Sequence, residues 1–417
     1  MDAKKLMFGA ALAALSSVGA LSATATDANA QATTRWSGAP RTDEEDRQFK
    51  INGRVQYDVF NISADYTTGT DVDYTRSFTR RAFFGAEGRF TQNWRYNIKF
   101  DLSPGQSDSS GQGNEVRLDD FYLEYAGETF SIFLGQHNAV SHMEDRISSN
   151  YTPFNERSAI DQAFGFGKIA GVAALFSGGN WSLGAGVQGD TFNNGETLNQ
   201  DEQLGFIARG TWAPIYQRTP EGTTVLHLGL NARYRSLDQT NGLTYSARPN
   251  MNSATGLGST VSTGATYEND TLYGAEAALV WNNFGISGEY MQLNGETLAG
   301  VENDYQGGYI DLFWGITGEG RNYSASDGSF GRITPRRTLG SDGGIGAVYA
   351  QLRYDWIDLT DGAVIGGEQT GWVAGLTWQP IAYVKFQANY SQYEIDRPGS
   401  ATDGQVDGFS LRTQFDW

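Results

Sequence analysis

The chain lacks cysteine altogether and has only 9 proline and 3 histidine residues among its 417. The absence of cysteine excludes a disulfide framework and thiolate metal ligands. Charged residues make up only 19% of the sequence. Beyond the N-terminus no apolar run reaches the roughly 18 residues of a membrane-spanning helix. Glycine, at 53 residues, and aromatic residues, at 13%, are instead abundant, and they favour turns and strands.

The first thirty residues are typical of a secretory signal. Lys4 and Lys5 precede the apolar stretch 6–21, and Ala28-Asn29-Ala30 is a small-x-small cleavage site. We therefore predict a cleaved signal peptide at 1–30. The polar stretch 31–48 predicts a short periplasmic lead, followed by one domain at 49–417.

The formal net charge is −18. Removal of the predicted signal leaves it unchanged, because that segment holds two lysines and two aspartates. Such acidity argues against nucleic acid as a partner. The three histidines lack the paired spacing of a zinc site, so we expect no metal and no cofactor.

The end of the chain shows strict alternation. Phe409, Leu411, Thr413, Phe415 and Trp417 fall on one face of an extended strand, and the residues between them are polar or charged. A strand of a soluble sandwich is the alternative. A strand with lipid outside and water inside explains both faces and the aromatic end. Phe415 and Trp417 therefore predict the terminal signal that barrel-assembly machinery reads.

Similar alternation predicts about sixteen strands. They are 49–59, 81–90, 94–102, 116–125, 129–136, 169–176, 181–188, 204–212, 224–235, 272–281, 284–292, 305–316, 348–358, 372–378, 384–392 and 408–417. The tight turns between these strands are expected to alternate with long polar stretches at 103–115, 190–202, 236–270, 293–304, 321–346 and 394–407. We predict an all-β fold, a transmembrane antiparallel barrel with tight turns and both chain ends on the periplasmic side.

One connection, Asn138 to Asp161, is rich in bulky and charged residues. It carries His142, Glu144, Asp145, Arg146, Glu156 and Arg157. A long loop of this composition is expected to pack rather than to move freely. We predict that it folds into the lumen as a constriction loop, with Arg146 held against Asp145 or Glu144.

Several ordered blocks resemble the phosphate-selective porin O and P family of outer membranes. They are Arg80-Arg81-Ala82, 118–125, 154–158, Arg248-Pro249, 273–276, 288–290, 317–319, 321–323, 330–335, 352–354, 358–359 and 375–378. The resemblance implies a homotrimer of sixteen-stranded barrels with inward loops. It also implies an arginine ladder for phosphate, whose counterparts here are Arg80, Arg81, Arg157, Arg233, Arg235 and Arg248.

These observations favour an outer-membrane porin. Inward arginines such as Arg209 could bind oxyanions through their planar fork, or they could pair with wall carboxylates. We predict an anion-preferring pore that passes phosphate-like oxyanions, with most of the attraction from Arg81, Arg157, Arg233 and Arg235. Contacts with membrane lipid and lipopolysaccharide follow from the location.

Three alternatives remain open. A weakly selective porin for small polar nutrients would have arginines neutralised by wall carboxylates. A structural or adhesin barrel would lack such an inward loop. An enzyme is not expected, because no G-x-S-x-G nucleophile motif occurs.

Overall fold

Alternating side chains build sixteen long strands in this computed structural model. It describes residues 33–36, 39–103, 116–189, 204–219, 222–236, 242–252, 255–340 and 343–417. The strands are β1 (Arg47–Tyr66), β2 (Val72–Arg89), β3 (Trp94–Asp101), β4 (Arg117–Ala126), β5 (Phe130–His137), β6 (Ile169–Ser177), β7 (Trp181–Gln188), β8 (Leu204–Thr219), β9 (Gly222–Ser236), β10 (Tyr267–Trp281), β11 (Phe284–Thr297), β12 (Glu302–Gly315), β13 (Ala347–Asp361), β14 (Val364–Ile381), β15 (Val384–Asp396) and β16 (Gly404–Asp416).

The sheet closes on itself. Each strand pairs antiparallel with its neighbours along the chain, and β16 pairs with β1, with Leu411 opposite Val59 and Phe415 opposite Val55. Closure leaves the barrel without a free edge. The predicted sixteen-stranded antiparallel barrel is confirmed. None of the helices within the described ranges is long and apolar enough to span a membrane.

The outer surface carries a belt of apolar side chains. On β16, Phe409, Leu411 and Phe415 are exposed, whereas Arg412 and Gln414 between them are buried inside. Exposed tryptophans and phenylalanines lie near the ends of several strands; examples are Trp281, Phe284, Trp314 and Trp378. An apolar outer face with aromatic borders is the pattern of a barrel in lipid.

The two ends of the barrel differ, but not as the sequence predicted. The turn end, where β1 begins and β16 ends, has short connections such as 90–93, 178–180 and 282–283. It also holds the long connection 316–346, which we had expected on the opposite side with the long loops. At the other end, the loop end, connections 298–301 and 362–363 are short, because the strands around them extend as polar ribbons beyond the apolar belt.

The predicted lead forms a small antiparallel extension of the sheet. Thr33–Trp36 pairs with Pro40–Glu44, and Arg41 of the second strand lies opposite Lys50 of β1. The predicted signal peptide at 1–30 lies outside the described residues. Its cleavage and the periplasmic position of the lead stay predictions.

Three segments fill much of the lumen. The inward loop, 138–168, contains helix α1 (Met143–Arg146) and helix α2 (Ala159–Phe164). The β9–β10 loop is described at 242–252 and 255–266, and the turn-end connection, described at 316–340 and 343–346, enters from the opposite end. Phe154, Ile160, Phe164 and Tyr245 pack with wall residues such as Tyr305 in a fully buried apolar cluster. The predicted inward loop is therefore confirmed.

Candidate functional site

Two adjacent arginines face the lumen because β2 contains a bulge. Gln56 of β1 lies opposite Arg81 and Tyr57 lies opposite Thr79, so Arg80 is an extra residue in the register. Neighbouring side chains in a regular strand point to opposite faces, and a bulge redirects one of them. Arg81 Nη1 donates to Gln56 Oε1 at 2.9 Å, while Arg80 reaches the inward loop.

Strand β4 repeats the arrangement with acidic residues. Asp120 lies opposite Lys99 and Leu118 lies opposite Phe100, which makes Asp119 the extra residue. Both carboxylates accept hydrogen bonds from Lys168, that of Asp119 at 2.9 Å. Lys99 also donates to Asp120. Consecutive like charges on β2 and on β4 are thus turned into the lumen by the same device.

Glu156 of the inward loop lies at the centre of a group of arginines. Its Oε1 accepts from Arg80 Nε at 2.7 Å and its Oε2 from Arg80 Nη2 at 2.9 Å. Arg412 Nη2 also reaches Oε1, at 3.1 Å, and is paired with Asp58 on its other side at 2.6 Å.

Two further arginines belong to this group. Arg81 lies within electrostatic range of both Arg80 and Glu156, and Arg248 of the β9–β10 loop lies within range of Glu156. In the described part of the chain, neither Arg81 nor Arg248 forms an ion pair with a carboxylate. We call Arg80, Arg81, Arg248 and Arg412, with Glu156, the arginine cluster. Its four cations exceed the two carboxylates, Glu156 and Asp58.

The other charged residues of the inward loop are occupied in holding that loop. Glu144 accepts from the Ser158 backbone at 3.0 Å and from Arg353 at 2.7 Å. Asp145 pairs with Arg157, which also donates to the Ile147 carbonyl at 3.0 Å. These loop carboxylates are therefore neutralised by neighbouring cations.

His142 is fully buried at the start of α1. Its Nε2 lies 2.9 Å from Asp161 Oδ1. Burial lowers the pKa of His142, but Glu289, Asp161 and Asp145 together raise it to about 9. The first backbone N–H groups of α1 are bound by wall carboxylates, since Met143 N donates to Glu276 and Glu289, each at 2.8 Å.

Arg209, Arg233 and Arg235 face the lumen, as predicted, and all three are paired. Arg209 donates to Glu276 at 2.6 Å and to the Gly328 carbonyl at 2.6 Å. Arg235 Nε lies 3.1 Å from both oxygens of Asp270. Arg233 binds the Phe164 carbonyl at 2.9 Å, which fixes the end of α2 to the wall.

One predicted contact is wrong. Arg146 does not hydrogen-bond to Asp145 or Glu144; it donates to Asp327 at 3.2 Å and to the Asn138 carbonyl at 3.1 Å. Asp145 is taken by Arg157, and Asp327 comes from the turn-end connection, whose entry into the lumen we had not predicted.

The turn-end connection supplies lumen residues that sequence reasoning missed. Arg332 pairs with Asp416 of β16 and lies 5.0 Å from the ring centre of Tyr151. Arg321 donates to Ser287 at 3.0 Å. Counting the strands could have shown where this connection lies. Since β1 begins at the turn end and the strands alternate in direction, every even-numbered strand, including β12, ends at the turn end. No group of three or more potential metal-ligating side chains lies together within the described ranges.

A closed barrel with an apolar belt and a charged, partly filled lumen defines a porin. The family described as phosphate-selective porin O and P matches residues 49–417, and the chain belongs to it. Porin O of Pseudomonas aeruginosa is 27% identical over 411 residues, covering 90% of this chain and 89% of that protein. An uncharacterised protein of Caulobacter vibrioides is 30% identical over 384 residues, covering 89% and 74%.

Solved porins share the fold. An anion-selective porin from Comamonas acidovorans superimposes with a TM-score of 0.56 at 10% identity, covering 89% of this chain and all of that one. The trimer form of OmpT from Vibrio cholerae gives 0.53 at 8% identity, covering 89% and 100%. The family and the fold place this protein in the outer membrane as a channel.

Proposed function

We propose that this porin prefers anions and passes phosphate-like oxyanions through the arginine cluster. The observation that carries the proposal is the bulge in β2, which turns both Arg80 and Arg81 into the lumen, where Arg248 also lies within electrostatic range of Glu156. A planar guanidinium can make two parallel hydrogen bonds to an oxyanion. The family description, phosphate-selective porin, and the name of the Comamonas porin support the same ligand class.

The acidity of the whole chain does not oppose this proposal. Charges on the outer surface are screened within about 8 Å at physiological salt. The carboxylates of the inward loop are matched by Arg80, Arg157 and Arg353. The excess positive charge of the arginine cluster therefore dominates the field along the path of a permeating ion.

A second candidate function is a weakly selective porin for small polar nutrients. It is favoured by the ion pairs of Arg157, Arg209, Arg233 and Arg235, which leave little free positive charge on that part of the wall. We propose that these four arginines chiefly hold the inward segments in place, and that Arg80, Arg81 and Arg248 bind the ion.

The zero-current potential in a planar bilayer under a KCl gradient separates the two functions. We expect an anion-preferring potential and block of the chloride current by added phosphate. A cation-preferring potential without phosphate block would overturn the anion proposal and leave the barrel intact.

We also propose that the protein assembles as a homotrimer, as the OmpT form cited above does, among outer-membrane lipid and lipopolysaccharide. Its insertion would depend on barrel-assembly machinery that reads Phe415 and Trp417. Native mass measurement in mild detergent tests the assembly; a monomer alone would contradict it.

A further inference from the structure

The Arg80–Glu156 pair has the geometry expected for a bound oxyanion. Two parallel hydrogen bonds, of 2.7 and 2.9 Å, join the guanidinium fork to the two carboxylate oxygens. A phosphate offers the same fork two oxygens at comparable spacing. In the structure, the carboxylate of the protein itself thus occupies the binding edge of Arg80.

Glu156 differs from Glu144 of the inward loop in its partners. Glu144 binds the Ser158 backbone and hydroxyl, and so contributes to the conformation of the loop. Within the described residues, every hydrogen bond to the Glu156 side chain comes from an arginine, either Arg80 or Arg412. Its carboxylate is bound by the cluster alone.

The charge on Glu156 persists over the pH range of the cell surface. Burial alone would raise its pKa, but Arg80, Arg412 and Arg81 outweigh burial and lower the pKa to about 2. Glu156 is therefore an anion held among four arginines, two of which, Arg81 and Arg248, form no ion pair elsewhere in the described chain.

We propose that Glu156 is a resident competitor that determines the anion specificity of the arginine cluster. This inference rests on the anion function proposed above. An oxyanion binds when it replaces the Glu156 carboxylate on Arg80 and also contacts Arg81 and Arg248. A divalent oxyanion replaces the charge and the paired hydrogen bonds of the displaced carboxylate. Chloride has one charge and cannot bind the guanidinium fork through two oxygens, so it replaces them poorly. Competition also keeps the bound ion from being trapped, which conduction requires.

The test compares phosphate block in the full-length barrel and in Glu156→Gln. Glutamine keeps the size of the side chain and removes its charge. We expect block by phosphate at about tenfold lower concentration, the effect of roughly one charge-assisted hydrogen bond. Measured without phosphate, the affinity for chloride should rise by a larger factor, because chloride displaces the carboxylate poorly, so the ratio of phosphate to chloride affinity falls. Phosphate block is therefore titrated at low chloride, where chloride competes little.

Glu87→Gln is the matched control. Glu87 lies on the lumen wall, 3.6 Å from Lys50, and accepts from Asn52 at 3.0 Å, away from the Arg80 fork. The control removes the same charge from the lumen, and we expect its block to stay within about twofold of wild type, as a screened, half-exposed charge implies. Equal changes of phosphate block in Glu156→Gln and Glu87→Gln would overturn the role of Glu156 as a competitor, because the loss of one negative charge in the lumen would then explain both results.

A displaced inward loop is the competing explanation, and Glu156→Asp resolves it. Aspartate keeps the charge beside the cluster but shortens the reach to Arg80. Block in Glu156→Asp that lies between wild type and Glu156→Gln supports competition, because the charge remains beside the cluster but reaches Arg80 less well. Equal shifts in both variants would overturn it in favour of a role in holding the loop.

The experiment also separates failure of the inference from failure of the proposed function. A wild-type pore that prefers cations and shows no phosphate block overturns the anion function, and the competitor with it. A blocked wild type whose block is unchanged or weaker in Glu156→Gln overturns only the role of Glu156. Heat-modifiable migration of each variant verifies that the barrel has folded.

Discussion

Gln162 and Arg248 bind each other in both directions. The Gln162 side-chain Nε2 donates to the Arg248 carbonyl and the Arg248 N–H donates to Gln162 Oε1, each at 3.1 Å. This clasp joins α2 of the inward loop to the β9–β10 loop. It sets the backbone from which the Arg248 side chain reaches the arginine cluster, so Gln162 is a positioning residue for the ion site.

Gln162→Ala should therefore weaken phosphate block without loss of the barrel. Two neutral hydrogen bonds contribute about 1 kcal/mol each, so we expect block to weaken by up to roughly thirtyfold, the equivalent of their sum. Gln392→Ala, on the outer face of β15, serves as the control. Titration of chloride current with phosphate checks the prediction, and unchanged block with folded protein would contradict it.

Arg81→Ala combined with Arg248→Ala removes the two cluster arginines that form no ion pair with a carboxylate of the described residues. We expect at least tenfold weaker phosphate block, since each could donate a charge-assisted hydrogen bond to the ion. The zero-current potential should move toward cation preference.

Arg233→Ala with Arg235→Ala removes the same charge elsewhere in the lumen. The sequence alone predicted that these residues also attract anions. Because both arginines form ion pairs with Asp270, we expect a smaller effect on phosphate block than from the cluster variant. A larger effect on phosphate block from this control than from the cluster variant would indicate that the ion binds at Arg233 and Arg235 of β9 instead.

The stability of the inward loop should depend on pH through His142. Its pKa in the folded protein is about 9, above the value of about 6.5 in an unfolded chain. The protonated ring therefore stabilises the folded state fully below about pH 6.5, and this contribution is lost as pH rises through 9.

We expect the midpoint temperature of heat modification in detergent to fall between pH 6.5 and 9 in the wild type. His142→Gln should start lower and show a flatter dependence over the same range. A wild-type midpoint that rises across this range would contradict the prediction.

The terminal residue closes the barrel seam. Trp417 N donates to Gly53 O at 3.1 Å, Gly53 N donates to Trp417 O at 3.2 Å, and the indole stacks on Phe415 with ring centres 5.8 Å apart. Deletion of Trp417 should lower the amount of folded barrel in the outer membrane, whereas Trp417→Phe should retain most of it. Undiminished heat-modifiable protein in the deletion would refute a role in assembly.

Much of the fold could be predicted from the sequence, because the alternation of apolar and polar side chains along a strand is a local pattern. Which face of β16 meets lipid follows from Phe409, Leu411 and Phe415 alone, since side chains alternate with a period of two. The same rule yielded the number of strands and the pairing of the last with the first. The boundaries were too short wherever strands continue as polar ribbons, as β14 does ahead of Trp372, because the apolar signal ends with the membrane.

The ion site depended on contacts that no local pattern contains. The sequence shows Arg80 and Arg81 side by side, but only the register against β1 places both in the lumen. Glu156 meets Arg412 across 256 residues of chain, and Asp327 reaches Arg146 from the opposite end of the barrel. Alternation therefore determined the wall, whereas the packing of three inward segments decided which charges are paired, because that depends on which distant groups the closed barrel brings within hydrogen-bond distance.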